Sequence, residues 1–189
     1  GQFVNIPVRQ PLGVLVADGY AAIGDSAFMT VPVIGSGIAN SFKAARILAD
    51  AVMADADKSF SAESLWQYQT EFYKKIGAAL APLACVKLML TRLEGRELDY
   101  IFATGILNAD DMTIGADDTS LGAMLGGMKF DDMKKKVVGL INDKKVLKKV
   151  LRLGLEIARA TAVTAAMPKK YNRMAVLKWV RQYNECFKQ

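Results

Sequence analysis

Apolar and polar positions alternate in character three times along this chain. Phe3–Val8 and Val14–Ala17 read as extended segments, separated by Pro7 and Pro11, and Pro11-Leu12-Gly13 punctuates a turn. Tyr20–Ile23 is a short apolar run that predicts a buried strand. Gly24-Asp25 and a loop bearing Pro32 and Gly35-Ser36-Gly37 follow. From Gly37 to Ala54 the pattern turns helical, and Ala39, Ala44, Ala45, Ala49 and Ala51 keep that helix slim enough for close packing.

After a polar break at Asp55–Ser59 almost everything predicts helix. Ser61 suits an N-cap, and Phe60 with Leu65 occupies the positions of a hydrophobic staple. That helix is expected to run to about Pro82, with a further one continuing to Leu93. Glu94-Gly95-Arg96 reads as a turn and Glu97–Ile106 as helix. Asn108–Ser120 is acidic and loop-like, and Gly122, Gly126 and Gly127 weaken any helix there. Phe130–Leu140 and Asp143–Ala166 are helical, the latter ended by Pro168, and Tyr171–Phe187 forms the last helix. The fold class is therefore mainly α. Residues 1–56 form a short β/α unit, and residues 57–189 a helical C-terminal domain.

Apolar residues make up 52% of the 189, ample for a core. The longest apolar stretch, Ile76–Leu90, is interrupted by Pro82 and Lys87 and falls short of a membrane span. Trp66, Tyr68, Phe72 and Tyr73 with Leu80, Leu83, Leu88, Ile101 and Phe102 read either as core or as the wall of an apolar tunnel. Two cysteines, Cys85 and Cys186, show no C-x-x-C spacing, which fits a reducing compartment and no zinc site. Histidine is absent, which excludes Ser-His-Asp and Cys-His catalysis in this segment. Asp110-Asp111 and Asp117-Asp118 lack the alternation of a calcium loop and read as a solvated loop.

Charge divides the chain. Residues 1–128 hold 9 Lys and Arg against 14 Asp and Glu, and residues 129–189 hold 16 against 5. In the helix from Asp143, Val146, Leu147, Val150, Leu151, Leu153 and Leu155 are expected on an apolar side with the lysines opposite. That basic face reads as solvated, or as contacting an anionic membrane surface. Nucleic acid is disfavoured, because no aromatic residues interleave with the charges. In the last helix Tyr171, Met174, Leu177, Val180 and Phe187 are expected on one stripe, flanked by Trp179. The stripe would dock on the helical domain, or anchor at a bilayer interface with Trp179 at headgroup level.

The candidate chemistry lies in residues 19–54. Gly24 permits a sharp exit from the strand and close backbone approach by a ligand. Asp25 offers a carboxylate that accepts hydrogen bonds from hydroxyls. Gly35-Ser36-Gly37 opens the following helix with bare backbone N–H groups, suited to an anionic or electron-rich group. A carboxylate followed twelve residues later by a helix start meets the needs of a flavin, with its ribityl hydroxyls and electron-rich pyrimidine edge.

Residues 6–54 resemble the second FAD-binding motif of flavoproteins built like p-hydroxybenzoate hydroxylase, and within them the geranylgeranyl reductase family. The matching elements are Ile6-Pro7-Val8-Arg9-Gln10-Pro11-Leu12, Asp18-Gly19, Ala21–Ile23, Gly24-Asp25-Ser26, Pro32 and Gly35-Ser36-Gly37-Ile38. Ser26 stands where the family usually has Ala. The resemblance implies FAD as cofactor, with Asp25 as ribityl ligand and backbone N–H groups of Gly37 and Ile38 toward the ring. Gly24, Pro32, Gly35 and Ser36 would shape the pocket. It implies an oxidoreductase that reduces C=C bonds of an isoprenoid or other apolar substrate by hydride transfer, working in the cytoplasm or at the membrane periphery. The residues name no catalytic proton donor and no electron donor. The G-x-G-x-x-G turn of a Rossmann unit is missing from the sequence. The expectation is therefore the C-terminal portion of a longer flavoenzyme, with residues 1–56 a remnant of its FAD-binding domain and the fragment inactive alone. The rivals are a flavin-dependent aromatic hydroxylase or dehydrogenase, and a non-enzymatic helical membrane- or partner-binding module in which 19–54 is only structural.

Overall fold

The computed structural model describes residues 6–106 and 130–188. The acidic loop at Asp110–Asp118 and the glycines at 122, 126 and 127 lie outside them. The described residues are mainly helical, as the pattern predicts. The elements are β1 (Val16–Ala17), β2 (Tyr20–Ala21), α1 (Ile38–Ala54), α2 (Trp66–Phe72), α3 (Ala78–Leu90), α4 (Gly95–Ala103), α5 (Phe130–Asn142), α6 (Lys144–Ala165) and α7 (Arg173–Glu185).

The strand predicted at Tyr20–Ile23 is shorter and less buried than its apolar run suggests. β1 and β2 form a two-residue antiparallel hairpin around Asp18-Gly19, with Val16 opposite Ala21, and Tyr20 is 57% exposed. A sheet this small cannot satisfy the backbone of residues 12–22, so side chains of α2 and of the turn that follows it do. Gln69, fully buried, accepts from the Leu15 N–H and donates to the Gly13 carbonyl, both at 2.8 Å. Tyr68 donates to the Ala22 carbonyl at 2.8 Å and Tyr73 to the Leu12 carbonyl at 2.6 Å.

Ser61 caps a turn ahead of α2 rather than α2 itself: the Ser64 N–H donates to its hydroxyl at 3.1 Å. Phe60 is left partly exposed while Leu65 is buried. The break expected at Pro82 does not occur, and Pro82 lies inside α3. The irregularity sits one turn earlier, in a π-helical turn at Tyr73–Gly77, where the Ala78 N–H reaches back to the Tyr73 carbonyl. Leu80, Ala81, Leu83 and Ala84 are buried around Pro82, so tertiary packing outweighs one lost helix hydrogen bond. Gly77 is required there, since a Cβ would lie 2.9 Å from the Tyr73 ring.

Gly95 and Arg96 belong to α4 rather than to a turn, because Glu94 and Glu97 form a reciprocal cap. Lys149 of α6 pairs with the buried Glu97, and this pairing, with the Glu94 N–H, holds its carboxyl below the usual glutamate range. Asp143 caps α6 by accepting from the Lys145 and Val146 N–H groups.

The stripe expected on α7 is rotated. Val176, Trp179, Tyr183 and Phe187 are buried, while Met174 and Leu177 face outward at 74% and 55% exposure. Trp179 stacks on Tyr183 and donates to the Val163 carbonyl, so the aromatic face of α7 closes the core and cannot place Trp179 at a headgroup. Trp66, Tyr68, Phe72 and Tyr73 are likewise core, in one cluster with Leu15, Met29, Ala44 and Ile47. Cys85 is part of it, and burial pushes its thiol up to about 12, which makes it inert. Described residues on both sides of position 56 contribute to this core. No single helix among the described residues is long and apolar enough to cross a membrane.

Candidate functional site

Six of the seven residues singled out from sequence line one hollow. Gly24, Asp25, Gly35, Ser36, Gly37 and Ile38 surround about 640 Å³, together with Ile6, Ile23, Thr30, Ser41, Phe42 and Ala45. That volume lies within the usual range for small-molecule sites. The seventh, Pro32, is buried in the same loop and does not line the hollow.

The geometry follows from local backbone demands. Asp25 sits in a single 3-10 turn, Gly24–Ala27, just past β2. Gly24 enters that turn at φ +63°, a conformation open to glycine at little cost. A Cβ on Gly24 would make only an ordinary 3.4 Å contact with the Ser41 hydroxyl, so the positive φ and not space calls for glycine there. The loop then closes on itself: Val31 N–H donates to the Ser36 carbonyl at 2.8 Å, and Gly35 N–H to the Val31 carbonyl at 2.9 Å. Gly35 takes φ +73° at that corner.

α1 starts at this loop with Gly37 as its N-cap and no side chain capping it. Its first backbone N–H groups therefore lack intrahelical partners and are available at the hollow. Asn40, buried, anchors this first turn by donating to the Met29 carbonyl at 3.1 Å.

Thr30 links the two halves of the site, and sequence reasoning missed it. Its hydroxyl donates to Asp25 Oδ1 at 3.1 Å, while a Cβ on Gly37 would meet Thr30 Oγ1 at 2.9 Å. Thr30 is 1% exposed and Asp25 is exposed at the rim, so a buried residue orients an accessible carboxylate. Phe42 was also missed. Ile38, Phe42 and Ala45 recur at i, i+4 and i+7, a spacing that places them on one face of α1. Ile38 is 76% and Phe42 74% exposed, an apolar wall beside the carboxylate.

No family model matches the chain. Curated relatives do match. A digeranylgeranylglycerophospholipid reductase of Sulfolobus acidocaldarius is 28% identical over 108 residues, covering 57% of this chain and 24% of the relative. One of Methanothrix thermoacetophila is 33% identical over 99 residues, covering 51% of this chain and 25% of the relative. The matched region thus spans about a quarter of the length of each. The kinship of the relatives, matched over about half of this chain, and the motif of residues 6–54 lead to the same family, geranylgeranyl reductase.

Proposed function

We propose that this chain supplies one wall of the FAD site in a reductase that saturates C=C bonds of an isoprenoid-type lipid. The observation that carries the reading is the convergence of Asp25, Thr30 and the uncapped start of α1 on one hollow. The residues fit the cofactor. A rim carboxylate can accept hydrogen bonds from ribityl hydroxyls, and Thr30 holds it in place. The Gly37 and Ile38 N–H groups, at the positive end of the helix dipole, can face an electron-rich ring edge. Gly37 has no side chain, which lets the helix start lie directly against Thr30.

Bound FAD would supply the hydride chemistry that the side chains of this segment do not provide. The chain's own part is binding, orientation and charge. A negative charge gained by the ring on reduction would be stabilised by the α1 dipole, a preorganised electrostatic effect. Ile6, Ile38 and Phe42 form an apolar border that would exclude water on that side. The relatives' names describe reductases of a prenylated phospholipid, and the same substrate class is proposed here.

The full-length protein is expected to purify yellow with a flavin spectrum. After anaerobic reduction, adding a geranylgeranylated lipid should reoxidise the flavin and yield a lipid with fewer double bonds by mass spectrometry. A colourless full-length protein that cannot be loaded with FAD would overturn the reading.

A further inference from the structure

The outward face of α6 is a surface feature that the flavin reading leaves unused. Val146 and Ala160 are fully buried and Thr164 nearly so, and they mark the side of α6 that packs on α3. At 3.6 residues per turn, Leu151, Leu155, Ala158 and Ala162 fall on the opposite side. Leu151 is 63% and Leu155 75% exposed. The sequence pattern placed these leucines on the buried side with the lysines opposite. The structure puts them on the same outward face as Lys144 and Lys148.

Basic and then apolar groups therefore follow one another in a lane along the outward face of a helix about 33 Å long, by its 22 residues at about 1.5 Å each. The ion pairs of α6 use Lys149 and Arg152. Among the described residues neither Lys144 nor Lys148 pairs with a carboxylate. The preceding helix leaves Ile141 62% exposed, three residues before Lys144.

We propose that this face docks on an anionic phospholipid surface, independently of the flavin site. Leucines that follow Lys144 and Lys148 and precede Ala158 and Ala162 suit shallow insertion at the headgroup boundary, where lysine stems lie along apolar surface and their ammonium groups reach lipid phosphates. The charge complementarity is strong, because residues 129–189 carry 16 basic against 5 acidic residues. No aromatic residue lies in the lane to stack on nucleic-acid bases.

The test is sedimentation of the full-length protein with vesicles of phosphatidylcholine alone, or mixed with phosphatidylglycerol. Binding to the anionic vesicles should be at least tenfold tighter, and should fall as added salt shortens the screening length. The double substitution Lys144→Gln/Lys148→Gln should weaken it about thirtyfold, two basic residues at about 1 kcal/mol each. Leu151→Ser/Leu155→Ser should weaken it about tenfold or more. All four positions are exposed, so circular dichroism and melting should not change in either variant. Equal binding to both vesicle types, or unchanged binding by both folded variants, would overturn the proposal. So would loss of a dimer on Leu151→Ser/Leu155→Ser without vesicle binding by the parent protein, which would assign the face to a second copy of the chain.

Discussion

Replacing Gly37 by Ala is expected to weaken FAD binding by the full-length protein about tenfold to hundredfold, the loss of a hydrogen bond to a charged group. The backbone at Gly37 has φ −131°, which any residue adopts. The effect is therefore steric. The new Cβ would lie 2.9 Å from Thr30 Oγ1 and 3.3 Å from Thr30 Cα. Thr30 is buried, so its hydroxyl must turn away from Asp25 or α1 must shift outward. Either movement uncouples the carboxylate from the helix start. The overpacking should also cost about 1–3 kcal/mol of stability, visible as a lower melting temperature. Thr30→Val removes the same contact without the clash, so the affinity losses of the two variants should be less than additive in the double mutant. Fully additive losses would mean that Gly37 and Asp25 act separately.

Replacing Tyr73 by Ala is expected to have the largest effect on the fold, about 3–5 kcal/mol. This is a large part of the 5–15 kcal/mol that holds a typical domain folded. Tyr73 lies in the π-helical turn and meets three rings edge-on: Phe72 at 5.5 Å, Trp179 at 5.5 Å and Tyr183 at 5.9 Å between centroids. Its hydroxyl also pairs the Leu12 carbonyl in the segment leading to the site. Three parts of the chain therefore meet at one side chain. Tyr73→Phe keeps the rings and loses only the hydrogen bond, at a cost of about 1–3 kcal/mol. Urea denaturation of the two variants separates packing from pairing. A loss under about 1 kcal/mol for Tyr73→Ala would show that α7 docks without it.

The residues that line the candidate hollow were legible in the sequence because their types are demanded by backbone geometry. Gly24 and Gly35 take positive φ, and Gly37 has no room for a side chain. Such requirements act locally and survive without knowledge of the fold. Thr30 was not legible, since an ordinary loop threonine gains its role only when the loop folds back on Asp25. Helix α1 and the helix read as starting at Asp143 were legible for the same local reason.

The errors are cases where tertiary contacts override local preference. Pro82 predicts a break, yet buried neighbours on both sides keep the helix intact. Tyr20–Ile23 predicts a buried strand, but a two-residue hairpin leaves Tyr20 in solvent. On α6 and α7 the apolar residues outnumber those that one buried face can hold. Periodicity alone could not choose which would be left outside. Trp179 won a place in the core through its stacking and its hydrogen bond to Val163. Leu155 and Met174 did not.

The most direct measurement is a calorimetric titration of FAD into the apo form of the full-length protein and of its Asp25→Ala variant, with melting curves of both. Asp25 is exposed and among the described residues its side chain accepts from Thr30 alone, so the variant should stay folded and lose no more stability than that one hydrogen bond, about 1–3 kcal/mol. The affinity should fall about tenfold to hundredfold. Equal affinity in the two folded proteins would contradict the assignment of this hollow to the flavin.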